Sequence, residues 1–207
     1  MIKKICNFLT KKIQEANPEI DDEKAEIINY GLQNLIGEVP KFFILLGIAY
    51  LLGIWKLAII TFFIMLPYRA ASGGFHLHSH LGCIIGTTLM YCGTALLSQN
   101  INLNPEYIKY ILVAFVWIFG LIMIKLYAPA DTENVPILSK KERKKKRIQS
   151  YILLTINLVL AILIKNNTIS NVFIFGTLIQ TLTITRLAYT LTKNKYGYEL
   201  YQKGELL

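Results

Sequence analysis

The chain has 207 residues, 54% hydrophobic and only 17% charged, with a formal net charge of +9 and a mean hydropathy of +0.44. A soluble domain carries about 45–50% apolar and about 25% charged residues, and here the apolar excess is gathered into long runs. An ordinary soluble domain is excluded, and an all-α, polytopic integral membrane helical bundle of about six membrane segments is expected, with amphipathic helices at the N-terminus.

Residues 1–16 place Ile2, Ile5, Leu9 and Ile13 at helical spacing, with Lys3, Lys4, Lys11 and Lys12 elsewhere. This pattern predicts a short amphipathic helix lying in the membrane interface. Lysines interrupt it before any apolar core of sufficient length, so a cleaved signal peptide is not expected. Pro18 breaks the helix, and Asp21 or Asp22 can cap a second one ending near Ile36, with Gly37 as its stop. Residues 1–38 thus read as an interfacial region, either a packing element or a docking surface for a peptide.

Residues 39–54 and 57–66 are apolar, interrupted by Trp55 and Lys56. They read as one long helix or as a hairpin with Trp55 and Lys56 at an interface, where both residue types are enriched; Pro67 ends the run. Further apolar segments follow at 81–98, 108–128, 151–164 and 171–191. Residues 140–147 carry seven basic residues and one acid. Set in a loop at 129–150 between apolar runs, they read as a cytoplasmic anchor against anionic lipid. No aromatic or groove-reading motif accompanies them, so no nucleic-acid partner is expected. The positive-inside rule puts this loop, the tail at 192–207 and, with the hairpin, the N-terminus in the cytoplasm of a multi-pass cell-membrane protein. Residues 39–191 form the transmembrane catalytic domain on this reading. Arg186, about one turn from the end of the last segment, is expected to snorkel to the headgroups, with orientation of a substrate carboxylate as the minority reading.

The chemistry concentrates in residues 69–83, placed by the same count on the cytoplasmic side. All three histidines, His76, His78 and His80, lie there, with one of three cysteines, Cys83. An odd cysteine count without paired spacing argues against a disulfide framework, and Cys6 and Cys92 read as packing residues. A cysteine thiolate is a nucleophile, and a nearby imidazole can take and return its proton. His76 and Cys83 are seven residues apart, which on an unbroken helix is about 10.5 Å of axis, too far for proton transfer. A direct pair therefore requires a bend, at Gly82 or in the loop before Leu81. His80, three residues from Cys83, would meet the thiol on a regular helix. His76, His80 and Cys83 also have the spacing of a zinc site, which leaves a zinc-dependent membrane hydrolase open; a non-enzymatic transporter or sensor is the third reading. Gly73 and Gly74 allow close approach and could offer amides to an oxyanion. Arg69 could grip a carboxylate or anchor a helix end. Gln33, Glu38 and Asp131 are candidates to orient the imidazole.

The pattern Arg69-x3-Gly73-Gly74-x-His76-x6-Cys83 resembles the motif of AgrB-type accessory gene regulator proteins, and Ala128-Pro129-x-Asp131-x4-Pro136-Ile137 is similar to a second stretch of that family. Leu77 stands where a smaller residue is expected, and His78 and His80 are additional. The resemblance implies a membrane cysteine endopeptidase of quorum sensing that cuts an AgrD-type precursor peptide near its C-terminal end. Cys83 would be the nucleophile and His76 the base, with Arg69, Gly73, Gly74 and Asp131 in support. The thioester acyl-enzyme would pass to a cysteine of the precursor and close a thiolactone. The implied partners are the precursor, the lipid membrane and a second copy in a homodimer. No metal and no other cofactor is expected.

Overall fold

The computed structural model describes residues 2–17, 20–77, 79–133 and 135–205. Among these the chain is all-α and membrane-type, with nine helices and no strand. Two compact units divide it, residues 1–48 and 49–207.

The first unit contains α1 (Ile2–Ala16) and most of α2 (Asp22–Leu51). α1 buries Cys6 and Thr10, one turn apart, while Ile5, Phe8 and Ile13 point outward. An exposed apolar face on a short helix with lysines beside it suits an interface between water and lipid. Asn29 Nδ2 donates to Asn7 Oδ1 at 2.8 Å and ties the two helices. The expected stop at Gly37 does not occur: α2 continues through both Gly37 and Pro40. A helix-interior glycine costs about 1 kcal/mol, whereas bare backbone in an apolar medium costs several kcal/mol per group, so continuing is cheaper than breaking.

In the second unit, α3 (Trp55–Ser72) follows a break rather than extending α2. Gly53, at φ +70°, supplies that break, and Ile54 N–H returns to the Ala49 carbonyl at 2.9 Å. α3 passes through Pro67, expected to end it, and runs on to Ser72. The proline falls where the helix is already one turn deep in packing, with Met65 and Tyr68 fully buried on either side of it. α4 (His80–Asn100), α5 (Glu106–Tyr127) and α6 (Lys140–Leu163) follow. These are the three helices long and apolar enough to cross a membrane among the described residues. Each leaves a broad apolar face uncovered: Leu81, Leu89, Ile111, Ile118, Leu126 and Leu163 are all more than half exposed. Soluble proteins rarely present such contiguous patches, and lipid is the natural cover.

α7 (Asn167–Thr183) is the central post, in contact with α3, α4, α5 and α6. Ten of its residues are buried, among them Asn171, Phe173, Ile174 and Gln180. Where apolar surface already faces lipid, helices associate through close fit and internal hydrogen bonds. Both are present: Gly120 of α5 lies under Leu154 of α6 and Gly176 under Met65, and Asn171 Nδ2 donates to the carbonyls of Ser98 and Ile101 at 3.2 and 2.7 Å.

Two expectations fail here. The basic cluster is not a loop, because Ser139 caps α6 and the helix starts at Lys140. Its lysines and arginines divide by helical phase. Arg143, Lys146 and Arg147 turn inward, and Lys140, Lys141, Lys144 and Lys145 outward. The run at 171–191 is likewise not one segment. α7 ends at Thr183, and Thr185 caps a separate short helix, α8 (Arg186–Leu191), accepting from Ala188 N–H at 3.3 Å. Threonine hydroxyls here bond to nearby backbone and compete with the helical ladder. Arg186 stands at the start of α8, exposed, and donates to both Glu199 carboxylate oxygens at 2.8 and 2.7 Å. The tail is structured too: Asn194 and Tyr196 are buried and α9 (Gly197–Gln202) follows.

Replacing Gly120 by Val forces a methyl group into Leu154 and should lower stability by about 1–3 kcal/mol. Thermal unfolding in detergent measures it, and Leu154→Ala in the same chain should recover part of the loss.

Candidate active site

The described residues between the end of α3 and the start of α4, 73–77 and 79, are not helical. His76 is one of them, while Cys83 is in the first turn of α4. The bend that a His76–Cys83 pair requires is therefore the chain reversal itself. Ser79 caps α4, its hydroxyl accepting from Gly82 N–H at 2.9 Å, and its carbonyl accepts from Cys83 N–H at 2.9 Å. The first turn is the positive end of a helix and favours a nearby anion.

The reversal is held mainly through its backbone. Gly73 (φ +76°) and Gly74 (φ +144°) adopt conformations that L side chains rarely reach. A Cβ on Gly73 would strike the Ala130 backbone, and one on Gly74 would come 2.7 Å from Thr183 Oγ1. Gly74 N–H donates to the Ala130 carbonyl at 2.9 Å and Ala130 N–H to Ser72 at 2.8 Å, a short bridge to the segment after α5. Gly73 N–H donates to Arg69 O at 2.9 Å. Both glycine amides are thus engaged within the chain, which corrects their reading as oxyanion donors.

Three side chains clamp the carbonyls. Gln180 Nε2 donates to Gly73 O at 2.8 Å and to Ser72 Oγ at 3.0 Å. Arg69 Nη2 donates to Phe75 O at 3.0 Å and Nη1 to Gln180 Oε1 at 3.3 Å. Asn194 Nδ2 donates to His76 O at 2.7 Å. Leu77 fits a notch that Gly82 and Gly86 leave on α4; a Cβ on Gly86 would stand 2.7 Å from its Cδ1. Gly86 is why a large residue is accommodated at 77.

His76 and Cys83 line one cavity of about 350 Å³, with Arg69 at its edge and an apolar wall that includes Leu77, Met90, Ile179 and Leu182. Cys83 is half-buried and His76 exposed. Arg69 and His76 also border a second cavity of about 580 Å³, walled by Gly73, Gly74, residues 130–132 and 135–138, and Lys146.

Asp131 borders that second cavity, but its carboxylate is turned to other duties. Oδ2 accepts from Ile137 N–H at 2.8 Å, Tyr198 N–H at 3.1 Å and Arg143 Nη1 at 3.0 Å. Arg147 Nε donates to Ala128 O at 2.8 Å and Arg143 Nη2 to Pro129 O at 3.2 Å. The inward arginines of the basic cluster therefore hold the segment at 128–137, which in turn holds Gly74. Gln33, Glu38 and His80 have side chains outside the described residues, as is all of His78; the His80 member of the zinc constellation and the first two orienting candidates fall there. None of the three cysteines is in a disulfide.

The sequence profile of Accessory gene regulator B (AgrB) matches residues 2–184. The chain belongs to the AgrB family. It is 32% identical over 184 residues to an AgrB-like protein of Listeria innocua, covering 88% of each chain. It is 31% identical over 190 residues to one of Listeria monocytogenes, again covering 88% of each. Against AgrB-like protein 2 of Clostridium perfringens it is 29% identical over 206 residues, covering 93% of this chain and 95% of the relative. No solved structure gives a significant match. AgrB membership carries an accessory gene regulator role in quorum sensing, a membrane location and an AgrD-type partner.

Two residues that hold the backbone between α3 and α4 escaped the sequence reading. Gln180 had a signal, since a buried amide inside an apolar membrane run is costly and needs partners. Asn194 had none, because a Lys-Asn-Lys tail reads as solvated.

Gly73→Ala should destabilise the fold by at least about 1–2 kcal/mol from the left-handed backbone alone, and by more from the collision with Ala130. Thermal unfolding in detergent measures it. An exposed change such as Lys195→Ala serves as the neutral reference.

Proposed function

We propose that the chain is a membrane cysteine endopeptidase and cyclase acting on an AgrD-type precursor. The observation that carries this reading is that the Cys83 thiol and the His76 imidazole line one largely apolar cavity at the start of α4. His76 takes the Cys83 proton, and the thiolate attacks a backbone carbonyl of the precursor. The carbon–nitrogen bond breaks, His76 returns the proton to the leaving amine, and a thioester to Cys83 remains. A cysteine thiol of the same precursor then attacks that thioester. Cys83 leaves with a proton restored, and the product is a thiolactone. One thioester replaces another, so the exchange is near thermoneutral and needs no oxidant or external energy. The apolar wall disfavours water, which would otherwise hydrolyse the acyl-enzyme. Arg69, Gly73, Gly74 and Asp131 support the site through the geometry of the reversal.

The active site faces the cytoplasm on this reading, as do both termini. Support comes from the basic end of α6, which lies at the site: Lys146 Nζ reaches Ala70 O at 3.5 Å and Arg147 reaches Ala128. Positive charge is retained on the inner side. A cytosolic precursor then meets the site directly. Residues 1–38 act as an interfacial region ahead of the transmembrane catalytic domain, and a homodimer is a further expectation.

Cys83→Ala should abolish precursor cleavage and His76→Ala should lower it by about 10²–10⁴-fold, with membrane insertion retained in both. Intact mass of the wild-type protein mixed with precursor should show an adduct on Cys83. Cleavage that survives Cys83→Ala sinks the nucleophile assignment.

A further inference from the structure

We propose that Asn194 is a positioning residue for His76, so that the segment after α8, beyond the stretch matched by the family profile, belongs to the active site. This rests on His76 as the catalytic base. His76 is exposed, and where its imidazole can reach depends first on where its backbone is held. That backbone is pinned on both sides. Phe75 N–H donates to Thr183 O at 3.4 Å and its carbonyl accepts from Arg69 at 3.0 Å; Leu77 sits in the Gly82 and Gly86 notch. Between them the His76 carbonyl is held as well: Asn194 Nδ2 donates to it at 2.7 Å.

Asn194 is itself placed with care. It is 8% exposed, its amide nitrogen also donates to Thr192 Oγ1 at 2.9 Å, and its backbone N–H returns to Tyr189 O at 2.9 Å. The turn that delivers it puts Lys193 at φ +56°, a conformation that costs a non-glycine residue about 1–2 kcal/mol. Stacked Tyr189 and Tyr196, with ring centroids 4.0 Å apart, brace both sides of that turn. Tyr189 OH donates to Asp131 O at 3.1 Å and Tyr196 OH to Ile184 O at 2.9 Å, the carbonyl exposed where α7 ends. Burial pushes both phenols above the ordinary tyrosine range, so both remain donors. A strained turn, a buried amide and a bond to the base's own carbonyl point to one task, which is holding the His76 backbone where its side chain shares a cavity with Cys83.

Asn194→Ala should lower kcat for precursor cleavage by roughly 10- to 100-fold, the scale of a small misplacement of a reacting group, with KM nearly unchanged. The rate of Cys83 alkylation by iodoacetamide against pH should take the shape seen in His76→Ala. Asn194→Asp should behave alike at neutral pH, since a carboxylate cannot donate. Asn194→Gln keeps the amide on a longer arm and should lose less; it also carries the test if the alanine variant fails to insert. Wild-type kcat and alkylation profile in both Asn194→Asp and Asn194→Gln, beside an inactive His76→Ala, would overturn this inference alone. A rise in KM with an unchanged alkylation profile would overturn it as well. If His76→Ala itself alters neither cleavage nor alkylation, the base assignment fails and this inference falls with it.

Discussion

The constraint on which the rest depends is that the carbonyls of one irregular stretch of backbone must find donors at the edge of an apolar bundle. Helices satisfy their own carbonyls; the reversal between α3 and α4 does not. Unpaired backbone is tolerated at membrane depth only where protein or water takes up its bonds. Here the carbonyls of Gly73, Phe75 and His76 are met by Gln180, Arg69 and Asn194. The donors come from α7, α3 and the tail, so the catalytic segment is a place where three parts of the chain converge. Its shape is set by long-range hydrogen bonds more than by local preference.

That arrangement explains the character of α7. A helix enclosed by four others has no need for a polar face, yet it carries Asn171, Thr177, Gln180 and Thr181 in buried positions. Each polar group that bonds across helices fixes register where apolar packing alone would allow sliding. Asn171 fastens the end of α4, Thr181 meets Tyr68 OH at 2.9 Å, and Gln180 reaches the reversal. One helix thus aligns both ends of the bundle and carries the alignment to the site.

How much of this could be read beforehand follows from which forces are local. The apolar runs of α4, α5 and α6 show in any window of hydropathy, and the interruption at Trp55 and Lys56 marked a real break. The motif residues from Arg69 to Cys83 were visible because histidine and cysteine are rare in this chain. Continuation of α2 through Gly37 and Pro40 was not visible, because the cost of stopping depends on surroundings that composition does not reveal. The end of α7 at Thr183 was hidden for the opposite reason: threonine and isoleucine look apolar on average, while the hydroxyls rewire the backbone. Asp131 was legible as important but not for its task, since its partners Arg143 and Tyr198 lie 12 and 67 residues away.

The phase of α6 has one more consequence. Its basic residues look like one population in the sequence, but the outward lysines meet solvent or headgroups while Arg143 and Arg147 grip carbonyls and a buried carboxylate. The two sets answer to different pressures. Lysine number and order can drift, as any electrostatic tether tolerates exchange among like charges. The guanidinium forks cannot be traded for ammonium groups without losing paired, directional donors. A lipid tether and the architecture of the candidate site are thereby written into different faces of the same two turns or so of helix, and one can evolve without disturbing the other.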